Sequence, residues 1–214
     1  MNHALDPGEE KEPIDTIVTL PTGMTAAAIA SASREVAMTF VTDSKHWGKA
    51  ELGMWLTGNY GQVIRHAWKE TGSNTWQVPL LRDIDARLID RIMHSARAEI
   101  FDTLELVAKD GSATFVLRAL IAGTVIRCED CLGEPAWAPT GEAARLADRV
   151  LSLFAVDYLA RPGEYETELS VCATCESVAF DGATRRRGPC THGLQHSVLA
   201  ARPRSTLPYP PLGA

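Results

Sequence analysis

Two cysteine pairs of identical spacing, Cys128-Glu129-Asp130-Cys131 and Cys172-Ala173-Thr174-Cys175, each follow a run rich in β-forming residues. Cys190-Thr191-His192 comes soon after, so six soft-metal ligands fall between residues 128 and 192. Two residues between cysteines let a tight turn aim both thiolates at one ion, and a structural zinc takes four such ligands in a tetrahedron. Thr124-Val125-Ile126-Arg127 leads into the first pair and Thr167-Glu168-Leu169-Ser170-Val171 into the second, the context of a two-knuckle zinc ribbon. The pattern predicts a structural Zn2+ held by Cys128, Cys131, Cys172 and Cys175. Any fold must then bring together two turns that are distant in sequence.

A rival ligand set is Cys172, Cys175, Cys190 and His192, which is more compact in sequence. It leaves Cys128 and Cys131 as thiols, or as an incomplete second site that needs Glu129, Asp130 or His196 to fill it. A catalytic zinc keeps an open position, and nothing in the spacing singles out three ligands plus water. Iron ranks behind zinc because the clustered-cysteine spacings of iron–sulfur proteins are absent. A redox dithiol needs a thioredoxin-like βαβ setting, and Leu132-Gly133-Glu134-Pro135 after the first pair reads as loop instead.

With 214 residues, 45% hydrophobic and 22% charged, the chain has the composition of a folded globular protein with one sizeable core and room for a small metal-bound module. No apolar run approaches the 18 or so residues of a membrane span, and Met1-Asn2-His3-Ala4-Leu5-Asp6 does not open as a basic signal segment. Five cysteines, four of them in C-x-x-C pairs, suit a reducing compartment better than a disulfide framework. The expectation is a cytoplasmic protein with no membrane partner. The net charge of -6 divides into -7 over residues 1–160 and +1 over 161–214. Only Arg185, Arg186 and Arg187, with Arg202 and Arg204, resemble the basic footprint that phosphate binding requires.

The predicted fold class is α+β: a helical N-terminal half, an antiparallel β-meander, and a C-terminal zinc-ribbon-like module with an inserted helix. Residues 1–13 read as a disordered lead-in, 14–121 as the α+β body, 122–200 as the zinc-ribbon-like module with its helix at 141–160, and 201–214 as a proline-rich tail. Within the body, Ile14–Leu20 reads as a strand, and Thr25 as the N-cap of a helix running to about Phe40. Residues 44–76 carry Trp47, Trp55, Trp68 and Trp76 in two helical stretches broken around Thr57-Gly58-Asn59. Core anchoring is the simplest role for these rings. Asp83–Phe101 is a helix whose apolar stripe is Ile84, Leu88, Ile92, Ala96 and Ile100. Leu104, Leu106 and Ala108, then Ala113, Phe115, Leu117 and Ala119, alternate about Asp110-Gly111 as a β-hairpin with a two-residue turn. Thr124–Arg127 completes the meander. After the inserted helix, which ends at Arg161-Pro162-Gly163, Glu164–Val171 returns as a strand, and Ser177–Phe180 starts another hairpin.

Standard catalytic motifs are missing. No histidine lies between His94 and His192, which removes zinc-bearing HNH-type nuclease chemistry. There is no H-x-E, H-E-x-x-H, G-x-S-x-G or P-loop. Cys190 beside Arg185–Arg187 and His192 makes a weak case for a nucleophile. The reading is a non-enzymatic, zinc-stabilised binding or regulatory protein that acts on a protein partner. One alternative is a nucleic-acid-binding zinc-ribbon factor that uses Arg185, Arg186 and Arg187. A second is an enzyme in the tryptophan-rich segment, built on His46 or His66 with Asp43 or Glu70.

Overall fold

A computed structural model describes residues 25–67, 81, 84–122, 126–131, 134–172 and 174–181. The strand expected at Ile14–Leu20, the lead-in at 1–13 and the tail at 201–214 lie outside these residues. Among the described residues the chain is mostly helical, with two small two-stranded antiparallel sheets. It is α+β in that coarse sense. No helix among them is long and apolar enough to cross a membrane.

Helix α1 (Ala26–Asp43) starts where Thr25 predicts: the threonine Oγ1 accepts the Ala28 N–H at 3.3 Å. This satisfies one of the donors that a helix start leaves unpaired. Its inner face is Ile29, Val36, Ala37, Phe40 and Val41, interleaved with small Ala32 and Ser33. A short 3-10 turn (Ser44–His46) leads to α2 (Lys49–Met54), a π-helical turn (Trp55–Tyr60) and α3 (Gly61–Ala67). The expected break at Thr57-Gly58-Asn59 is therefore a widened helical turn. Its extra residue per turn brings residues five apart close to line, and the rings of Trp55 and Tyr60 stack at 5.5 Å between centroids.

Helix α4 (Ala86–Asp110) is capped by Asp85, whose carboxylate accepts from the N–H groups of Arg87 and Leu88. It buries Ile89, Met93, Ala96, Ile100, Phe101, Leu104 and Val107. The four-residue stripe expected from Ile84 to Ile100 is thus corrected, because Leu88 and Ile92 are exposed. A strict interval of four gains about 40° per step on a helix of 3.6 residues per turn, so the stripe drifts off the buried face. The hairpin expected over Leu104–Ala119, and with it the β-meander, is also overturned. α4 continues through Asp110, and α5 (Thr114–Ala122) follows. Gly111, at φ 65, closes α4 by donating its N–H to Val107 O at 3.0 Å. A glycine in the left-handed region ends a helix as readily as it makes a hairpin turn.

Strands β1 (Ile126–Cys131) and β2 (Glu134–Pro139) pair antiparallel from Ile126↔Pro139 to Cys131↔Glu134, so the expected loop after the first cysteine pair is in part a strand. Helix α6 (Leu146–Ala160) covers the later part of the helix expected at 141–160, residues 141–145 being non-helical, and no zinc-ribbon module is seen around it among the described residues. Every residue from Arg149 to Asp157 is buried. A helix buried on all sides lies at the centre of a core, and α6 packs against α1, α4, α5 and β2. One hydrophobic cluster runs from Ile29 through Phe154 to Val171. Pro162, expected only as a stop, opens the short helix α7 (Pro162–Thr167), since its missing N–H costs nothing in a first turn. The strand expected at Glu164–Val171 shrinks to β3 (Leu169–Cys172), paired with β4 (Ser177–Phe180).

At the end of α6 the Asp157 side chain is fully buried. Its carboxylate accepts from Arg34 Nε at 2.6 Å, from Arg161 Nε at 2.9 Å and from the Tyr165 hydroxyl at 2.7 Å. Arg34 also pairs with Glu164 at 2.5 Å and lies over the Phe180 ring at 4.3 Å. Removing one member of such a buried set strands the others without compensation. Asp157→Ala is expected to cost about 3–5 kcal/mol in urea denaturation; a loss below about 1 kcal/mol would mean that the cluster is not holding α1, α6 and α7 together.

Burial first, then the charge and hydrogen bond of Asp157, push the Tyr165 hydroxyl well above the ordinary tyrosine value. A raised folded-state pKa means that the folded chain holds its proton longer than the unfolded one. The contribution is full below about pH 10 and is lost as pH rises toward the folded value. Stability is expected to fall on alkaline titration above about pH 10, with a shallower fall in Tyr165→Phe, as read from denaturation midpoints.

Candidate metal centre

The second cysteine pair sits on a hairpin turn. Cys172 is the last residue of β3, fully buried, and faces Ser177, the first of β4. Cys175 lies in the intervening segment, half-buried, with its Sγ 3.0 Å from Ser177 Oγ. Glu176, directly after it, has φ 53 and is the one non-glycine with positive φ among the described residues. Its carboxylate pairs with Arg97 of α4, which is itself buried, donates to Ser44 Oγ at 2.7 Å and lies over the Phe101 ring. The turn is thus fastened to the body through α4. The base of the hairpin closes where Asp181 N–H donates to Glu168 O at 3.1 Å.

The first pair has a different backbone. β1 stays paired with β2 through Cys131↔Glu134, so Cys128-x-x-Cys131 runs along an extended strand where a knuckle was expected. Cys128 is exposed. β2 packs on α1, α3 and α6, whereas β3 packs on α4 and α7. Among the described residues no group of three or more His, Cys, Asp or Glu side chains is arranged to hold a metal ion. Cys190, His192 and His196 lie outside those residues, as do Arg185, Arg186 and Arg187 of the basic loop. Thiolate and imidazole are the donor types a structural zinc prefers, and the second turn offers two thiol groups of that kind.

The tryptophan-rich segment contributes to the core. Trp55 is buried and donates its indole N–H to Val36 O at 3.1 Å. Phe40, Trp47 and Trp55 meet within 5.1–6.2 Å. Asp43, at the end of α1, and His46, in the 3-10 turn after it, are both exposed. Trp68, Trp76 and Glu70 lie outside the described residues, and His66 enters only as part of the α3 backbone. His94 of α4 is exposed.

Sequence reasoning passed over the buried arginines. Arg149 of α6 donates to Gly141 O at 3.1 Å and lies over the Tyr60 ring. Burial raises the pKa of the Tyr60 hydroxyl, with the nearby Arg149 charge opposing the shift. The one available signal was Asp157 four residues before Arg161, at the end of an apolar run. No protein-family model, curated protein or solved structure matches the chain.

If the aromatic cluster is core, Trp55→Ala is expected to lower stability by about 3–5 kcal/mol. His46→Ala, on the surface beside it, is expected to change stability by less than about 0.5 kcal/mol. Thermal and urea unfolding of the two variants measure the contrast, and equal effects would argue that His46 is engaged in something other than solvation.

Proposed function

We propose that the chain is a zinc-stabilised cytoplasmic binding or regulatory protein that acts through protein–protein contacts and has no catalysis of its own. The observation that carries the reading is the Cys172-x-x-Cys175 turn, closed by paired strands and fastened to α4 through Glu176 and Arg97. The unlike backbone of the first pair favours Cys172, Cys175, Cys190 and His192 as the ligand set over the four cysteines. Such a zinc would close the C-terminal hairpin and set the surface next to it. The charged groups of the core support a non-catalytic reading, because buried Arg97, Arg149 and Asp157 and half-buried Arg34 are each engaged inside the fold. Leu88 and Ile92, exposed one turn apart on α4, offer apolar surface of a kind that suits a protein partner.

Elemental analysis of the purified full chain is expected to give about one zinc per chain. With the favoured ligand set, zinc is lost in Cys172→Ser and Cys190→Ser and kept in Cys128→Ser. Loss in Cys128→Ser with retention in Cys190→Ser would select the all-cysteine set. A metal-free protein from zinc-supplemented expression would end the zinc reading. Retention on DNA or RNA at low salt that Arg186→Glu abolishes would replace the protein partner with a nucleic acid.

A further inference from the structure

A residue carrying a Cβ is disfavoured in the left-handed region, and it stays there only when its surroundings hold it. Glu176 adopts that conformation at φ 53, one position after Cys175 and one before the β4 residue that pairs with Cys172. It therefore sits where the chain leaves the second cysteine and turns into β4. Glycine would take the conformation without help. Here the hold is external: the Glu176 carboxylate is paired with Arg97, and Arg97 is fixed by the Ser44 hydroxyl and the Phe101 ring.

We propose that Arg97 and Glu176 are positioning residues for metal binding: their ion pair holds the Cys172–Cys175 turn in its ligand-presenting shape before the ion arrives. The inference rests on the zinc reading above and deepens it. A chelating turn that is already formed binds more tightly than one the metal must first impose, because the ordering cost has been met by the fold. Arg97 comes from α4, so the preorganisation is a property of the folded body and not of the hairpin alone. The pair touches no metal ion; it acts through the backbone of the residue next to Cys175.

The test compares two variants at this partly exposed position, Glu176→Ala and Glu176→Gly, by titrating the metal-free full chain with Co2+ alone and following its thiolate charge-transfer and d–d absorption. Both variants lose the carboxylate, and only alanine keeps the Cβ. Glu176→Ala is expected to bind Co2+ about five- to tenfold more weakly than the parent chain, whereas Glu176→Gly stays within about twofold of it. Arg97→Met is expected to weaken binding in the parent chain and to have no further effect in the Glu176→Gly background. Equal weakening in the alanine and glycine variants would show the ion pair acting on general stability, and no weakening in either would show the turn forming without it; both outcomes overturn the proposal. If the parent chain gives no Co2+ spectrum, the zinc reading itself has failed, and that outcome is distinct from the other two.

Discussion

The fold depends on how it accommodates a carboxylate at the inner end of its central helix. Asp157 is fully buried on α6, where an unpaired charge would be prohibitive. Every group that makes it tolerable comes from elsewhere in the chain. Arg34 reaches it from α1, Arg161 from the connection after α6, and the Tyr165 hydroxyl from α7. Arg34 in turn meets Glu164 and the face of Phe180 on β4. Four elements are therefore tied at one point by directional bonds, set in a core held mostly by non-directional apolar contact. Hydrophobic burial would allow α1 and α7 to slide along α6; these hydrogen bonds fix one register.

A second cluster of the same kind does for the C-terminal hairpin what Asp157 does for the body. Arg97 is buried on α4, reaches Ser44 after α1, and extends to Glu176 beyond the second cysteine pair. Phe180 rests on Arg34, and Glu176 rests on Arg97, so both ends of β4 are anchored to arginines of the helical body. Local opening of the hairpin would expose two charges that are otherwise paired. Opening the hairpin alone would break that pairing, which ties its stability to the helices that hold Arg97.

The sequence made some of this legible and hid the rest for identifiable reasons. Thr25 marks the start of α1, and Arg161-Pro162-Gly163 marks the end of α6, because a cap and a helix stop are local signals. The end of α4 was hidden because Asp110-Gly111 serves a hairpin and a helix terminus equally, and because alternating Leu104, Leu106 and Ala108 mask the pairing of Leu104 with Val107 on one helical face. Strand β2 was hidden by Pro135 and Pro139. Proline cannot donate to a ladder, yet in a sheet of only two strands each strand keeps an open edge where it is tolerated. The turn that carries the second cysteine pair was legible from spacing. Its support was not, since Arg97 stands 79 residues from Glu176 and no sequence period links them. The same distance problem hid Arg34 and Asp157, 123 residues apart.

The widened turn from Trp55 to Tyr60 has a consequence for how this chain can vary in length. A π-helical turn holds about one residue more than the α-helical turn it replaces, so everything after it is rotated by about 100° relative to an uninterrupted helix. The rotation sets which side of α3 carries Val63 and Ile64, both buried. A deletion of one residue between Trp55 and Tyr60 would restore an ordinary helix and turn those two side chains away from the core. Substitutions in this turn are local events, but a change of a single residue in its length re-phases the whole of α3.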